Sequence, residues 1–192
     1  MKSTEVSYQE IRQLLLRNSS MDAKKAHDKF IPGNHKSIGV RLPVINELAS
    51  QYKEGGFALA ERLWNAGVLE EKLLAAKILG KIAKKDPDKA LALFHSFSES
   101  IDDWAVCDSL GIQSLKPLVT SHSLEIFTMA KSFNHMDDPW KRRLSLVMVE
   151  WYTRKKEFHP EIKVLIANLE RDQDYYVKKA VVWIKRNLAK GR

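Results

Sequence analysis

Apolar residues along this chain recur at steps of three and four and rarely alternate with polar ones. Leu74, Ile78 and Ile82 form one such set. Trp140, Leu144, Val147, Met148 and Trp151 form another, and Val177, Val181, Ile184 and Leu188 a third. Each set lies along one side of an α-helix, the spacing of an element that buries a single stripe. The pattern breaks at Pro32-Gly33-Asn34, Gly55-Gly56, Asp86-Pro87, Asp138-Pro139 and His159-Pro160, all turn or helix-start chemistry. Stretches between these breaks run to roughly 10–18 residues, an ordinary helix length. They predict an all-α fold.

Acidic pairs that suit a helix N-terminus fall at Glu70-Glu71, Asp102-Asp103, Asp137-Asp138 and Asp172 to Asp174, at steps of 32, 35 and 35 residues. An apolar helix follows each one, and a second helix fills each interval at Asp88 to Phe97, Ser123 to Phe133 and Glu161 to Glu170. Helix pairs at this period predict a HEAT-like solenoid over residues 1–192, a right-handed superhelix in a single domain. One helix of each pair lines its concave surface.

Charge adds a direction to that picture. The net charge is +8, and all of it sits between Lys141 and Arg192, with 14 basic residues against 6 acidic. A basic surface at one end of a fold attracts polyanions, nucleic acid above all. A solvated lysine-rich face explains the charge equally well. The single cysteine excludes a disulfide framework or a cysteine-rich zinc module. His27, His35, His95, His122, His135 and His159 show no metal spacing, and no phosphate-binding glycine loop appears, so neither metal nor cofactor is expected. No run reaches the ~18 apolar residues of a membrane helix. The first residues lack a signal-peptide core, which makes the cytoplasm the expected compartment.

Five residues stand outside the core stripes. Trp104 and Asp108 share a helix face one turn long, Arg143 occupies the equivalent helix of the next unit, and Trp183 with Lys179 the one after. On a solenoid these helices line one surface, which gives a wall with two indoles, a carboxylate and several cations. Bland alternatives stand beside this: an indole packed at a repeat junction, Asp108 pairing with a lysine, and Lys141-Arg142-Arg143 as a solvated cluster. Cys107 reads as a small packed residue.

The chain resembles the AlkD family of HEAT-repeat alkylpurine DNA glycosylases. The resemblance runs from about Tyr8 to Leu188 and rests on GVRLP (Gly39 to Pro43), DDWAVCDSL (Asp102 to Leu110), WKRR (Trp140 to Arg143) and YYVKKAVVW (Tyr175 to Trp183). Typical members continue through a further helical repeat beyond the position of Trp183. The likeness implies a monomer that excises cationic N3- or N7-alkylated purines from duplex DNA without a base-reading pocket. Asp108, Trp104, Trp183 and Arg143 match the family's catalytic positions. In this reading Asp108 stabilises the sugar cation and positions water, the indoles flank the sugar, and Arg143 holds a backbone phosphate. Arg142, Lys178, Lys179, Lys185 and Arg186 would add sequence-independent affinity for DNA. The competing readings are a non-catalytic DNA-binding repeat protein and a protein-interaction scaffold.

Overall fold

A computed structural model describes residues 3–31 and 36–190, and the Pro32-Gly33-Asn34 break and His35 lie outside them. Among the described residues there are eleven α-helices and no strand. The helices are α1 (Thr4–Arg17), α2 (Met21–Phe30), α3 (Leu42–Gln51), α4 (Gly56–Trp64), α5 (Leu69–Ile82), α6 (Pro87–Ser98), α7 (Trp104–Ser109), α8 (Ser123–Asn134), α9 (Pro139–Val147), α10 (His159–Leu169) and α11 (Tyr175–Lys190). The three intervening helices expected from spacing are α6, α8 and α10, each within about two residues of the predicted bounds.

Most helix starts use the chemistry the sequence advertises. Asp103 accepts the Val106 N–H at 2.8 Å, and Asp138 accepts that of Trp140 at 2.8 Å with Pro139 supplying the first turn. Asp174 accepts from both Tyr176 and Val177. Each carboxylate satisfies N–H groups that have no partner within their own helix.

Helix α5 starts at the predicted acidic pair, with Glu70 and Glu71 in its first turn, and both are fully buried. Glu70 reaches back to the 37–40 segment and accepts from the Ile38, Gly39 and Val40 N–H groups and the Ser37 hydroxyl. Gly39 turns there with φ +87°, and a Cβ on it would meet the Ser20 carbonyl at 2.6 Å. Burial alone would raise the Glu70 pKa, but the backbone N–H bonds outweigh it and hold the carboxyl below its ordinary range.

Helix α5 forms the centre of the core, packed against α3, α4 and α7. After Ser109 the α7 helix widens into a π-helical segment over Leu110–Ser114, where the sequence predicted one continuous helix. Gly111 lies in this segment with α9 so close that a Cβ would meet Val147 Cγ1 at 2.7 Å.

The period predicted from the acidic starts reappears in the contacts between units. Lys72 pairs with Asp102, Arg142 with Asp172 and Arg143 with Asp108. Ser114 bonds the Ala76 carbonyl, Trp151 that of Ile112, and Asn168 the Asn134 side chain. Every one of these bonds joins residues 30 to 39 positions apart. Each unit therefore leans on the next, as in an α-solenoid.

Candidate functional site

The first turn of α7, the middle of α9 and the first three turns of α11 meet the C-terminal end of α2 at an open cleft of about 1020 Å³. Trp104, Asp108, Arg143 and Trp183 all line it, so the structure brings together the four residues that the sequence singled out. Lys178, Lys179 and Arg186 also line it.

Asp108 is the only carboxylate among the described residues of the cleft, and its side chain is 29 % exposed. Arg143 approaches it as a fork. Its Nη2 donates to both Asp108 oxygens at 2.8 and 2.9 Å, and its Nε donates to Oδ1 at 3.0 Å. The remaining arm, Nη1, donates to the Tyr176 carbonyl at 2.7 Å, tying the first turn of α11 to the pair. Burial pushes the Asp108 pKa up, while the adjacent guanidinium pulls the other way without fully cancelling it.

This geometry corrects the expected role of Arg143. Its side chain is 9 % exposed, and its donors face Asp108 and Tyr176 rather than a solvent-side phosphate. The wider expectation of a solvated Lys141-Arg142-Arg143 cluster also fails. Successive helical residues point about 100° apart, so the three side chains find three different partners. Lys141 is buried against Ser98 and Glu99, Arg142 clamps Asp172 at 2.6 Å, and Arg143 holds Asp108.

Two of the cations expected to contact DNA lie outside the cleft. Arg142 does not line the cleft; it also donates to the Met136 and Asp137 carbonyls and serves as a tether between units. Lys185 lies two residues beyond Trp183, about 200° around α11, and pairs with Glu170 at 2.6 Å away from the cleft.

The walls carry residues that the sequence did not single out. Phe30 and Lys29 come from α2, and the Trp104 indole N–H donates to the Phe30 carbonyl at 2.9 Å. Tyr175 and Val182 stand exposed at 59 % and 67 %. Tyr176 rests against Trp140, with ring centroids 5.2 Å apart. The YYVKK run contained the signal for the tyrosines, but no local signal ties Phe30 to a tryptophan 74 positions away. Cys107, beside Asp108, is fully buried, and burial drives its thiol pKa well up, so it acts as packing.

Among the described residues no group of three histidine, cysteine or acidic side chains could hold a metal ion, and no helix is long and apolar enough to cross a membrane.

The fold and cleft together define a helical-repeat protein with a partly exposed carboxylate–guanidinium pair in an open cleft lined by two indoles and several cations. The family model described as DNA alkylation repair enzyme matches residues 11–192, and the chain belongs to that family. A search of curated proteins finds no match. Membership makes this an enzyme family of DNA repair, with DNA as the partner.

Proposed function

We propose that this protein is a DNA glycosylase that hydrolyses the N-glycosidic bond of N3- or N7-alkylated purines in duplex DNA. The observation that carries the reading is the placement of Asp108, a partly accessible carboxylate in an open cleft that Trp104 and Trp183 also line. We further read the helix pairs as one right-handed superhelix whose concave surface is basic and faces the duplex.

Alkylation at N3 or N7 leaves the purine cationic, so the base needs no strong general acid to depart. The C1′–N bond breaks with its electron pair moving onto the purine, which cancels the positive charge there. Positive charge then develops on the deoxyribose, and the Asp108 carboxylate stabilises it at close range. Water bonds to C1′ through its oxygen, and its proton passes to Asp108 or to solvent. The faces of Trp104 and Trp183 attract the sugar cation, each contributing on the order of 0.5–2 kcal/mol. Arg143 fixes the orientation of the carboxylate and favours its ionised form against the burial that raises its pKa. The cleft is open, with Phe30, Tyr175 and Val182 at its edge, so nothing encloses the lesion and bulky adducts fit.

The bidentate Arg143 pair also supports a second reading, since it already neutralises Asp108 and would suit a DNA-binding protein without catalysis. Base release from a duplex carrying N7-methylguanine separates the two. Wild type is expected to release the base, and Asp108→Asn to lose at least ~100-fold, the scale of one electrostatic catalytic group. Absent release by wild type, or undiminished release by the variant, overturns the glycosylase reading.

A further inference from the structure

A second concavity, of about 320 Å³, opens between α3, the last turns of α5 and the segment that follows the π-helical turn. Its polar walls are Asn46, Ser50, Lys77, Lys81, Gln113 and Lys116, with no carboxylate among the lining residues. Neither Lys77 nor Lys81 has an ion-pair partner among the described residues, in contrast to Lys72, Lys141 and Lys185 elsewhere. Lys77 is half-buried, and burial together with the Lys81 charge one turn on pushes its ammonium pKa down. The fold thus holds converging positive charges in a recess without a counterion, an arrangement that an anion with several acceptor oxygens would relieve.

The recess is rigid. Gly80 brings α5 so near Gln113 that a Cβ there would collide with the Gln113 carbonyl. The π-helical turn that places Gln113 begins two residues after Asp108, so one short segment joins the recess to the cleft. The five residues from Asp108 to Gln113 span at most ~8 Å of helix rise. Duplex DNA carries a phosphate about every 1.7 Å of its axis, so a duplex that runs from the cleft over this segment would present phosphates to the recess. Lys116, on the recess wall, sits 4.6 Å from the centre of the Trp151 ring, whose indole N–H is fixed to the Ile112 carbonyl, and Arg154, 4.4 Å from the same ring, is paired with Glu150.

We propose that the recess walled by Lys77, Lys81 and Lys116 is a second anchoring point for DNA, taking a backbone phosphate of the duplex whose lesion lies in the Asp108 cleft. This rests on DNA being the partner, and not on the glycosidic chemistry. Anisotropy titrations of a labelled undamaged duplex across a salt series test it. The variants are Lys77→Gln/Lys81→Gln and a charge-matched control, Lys131→Gln/Lys163→Gln, on the alternate helices α8 and α10.

The recess variant is expected to bind about 10-fold more weakly than the control near 0.1 M salt. Its log–log salt slope should shrink by about 0.9 for each phosphate that the recess no longer neutralises. Affinity and slope equal to the control's overturn the proposal, as does a wild type with no salt-dependent duplex affinity. Inorganic phosphate is titrated in parallel by calorimetry. Phosphate binding that the recess variant loses, together with an unchanged duplex slope, would make this a free-anion site and also overturn it. A wild type that binds duplex but releases no base would refute the glycosylase reading alone, with the salt slope still deciding the recess.

Discussion

Arg143 controls Asp108 by two routes, and they can be separated. Its charge opposes the burial that raises the Asp108 pKa, and its fork fixes both carboxylate oxygens while its last arm reaches Tyr176. In the proposed chemistry an ionised Asp108 is the active form, so base release is expected to rise with pH through its pKa. Arg143→Ala leaves burial unopposed, and the acid limb of the pH–rate profile is expected to move to higher pH. Release at neutral pH should fall by at least ~10-fold, since breaking a buried pair strands the remaining charge. Arg143→Lys restores the charge without the fork, so it is expected to return the acid limb towards its wild-type position while leaving the rate low. Acid limbs that coincide in all three proteins would show that Arg143 does not set the carboxylate's ionisation.

The first turn of α5 places two adjacent carboxylates in opposite electrostatic situations. Glu70 accepts three backbone N–H bonds and its pKa is lowered, whereas Glu71 accepts none from the backbone and burial raises its pKa despite Arg12, the Tyr8 hydroxyl and Arg62. Glu70 therefore contributes stability above its unfolded pKa, and loses it as pH falls through the lower folded value. Glu71 works the other way. Its favourable share is present below the unfolded pKa and disappears as pH rises through the raised folded value. At neutral pH, Glu70→Gln is expected to cost about 2 kcal/mol, or a Tm lower by roughly 4–8 °C for a chain of this size. Glu71→Gln should raise the Tm by a few degrees, a gain that fades towards pH 4. Thermal melts of both variants across pH check the pair, and equal shifts of one sign would refute the assignment.

These two residues also show what the sequence could convey. Asp103, Asp138 and Asp174 were readable as helix starts because a cap uses N–H groups two or three residues along. Glu70 also marks a helix start, but its carboxylate serves donors 30 to 33 residues upstream instead of its own helix. For the same reason Trp104, Asp108, Arg143 and Trp183 could be placed on one surface by the repeat period. The fork of Arg143, the tether of Arg142 and the Phe30 contact depended on side-chain direction between units. The π-helical turn at Leu110–Ser114 gave no periodic signal because it lasts barely one turn.

Most bonds between units join one unit to the next, with the Trp104–Phe30 bond as an exception, so the C-terminal end can loosen by itself, and that has a measurable consequence. The last unit carries Trp183 and Tyr176 on α11, and Arg142 anchors its start through Asp172, which in turn accepts the Asp174 N–H. Removing the Arg142 side chain should loosen α11 while α3 and α5, several units away, keep their contacts. In Arg142→Ala, amide hydrogen exchange over 175–190 is expected to quicken about 10-fold, equivalent to ~1.4 kcal/mol of local stability. Exchange over 42–82 should be unchanged. Base release should fall as well, because Trp183 and the Tyr176 carbonyl that meets Arg143 both ride on α11. Uniformly faster exchange along the whole chain would mean a single cooperative core, with the cleft no more independent than any other part of it.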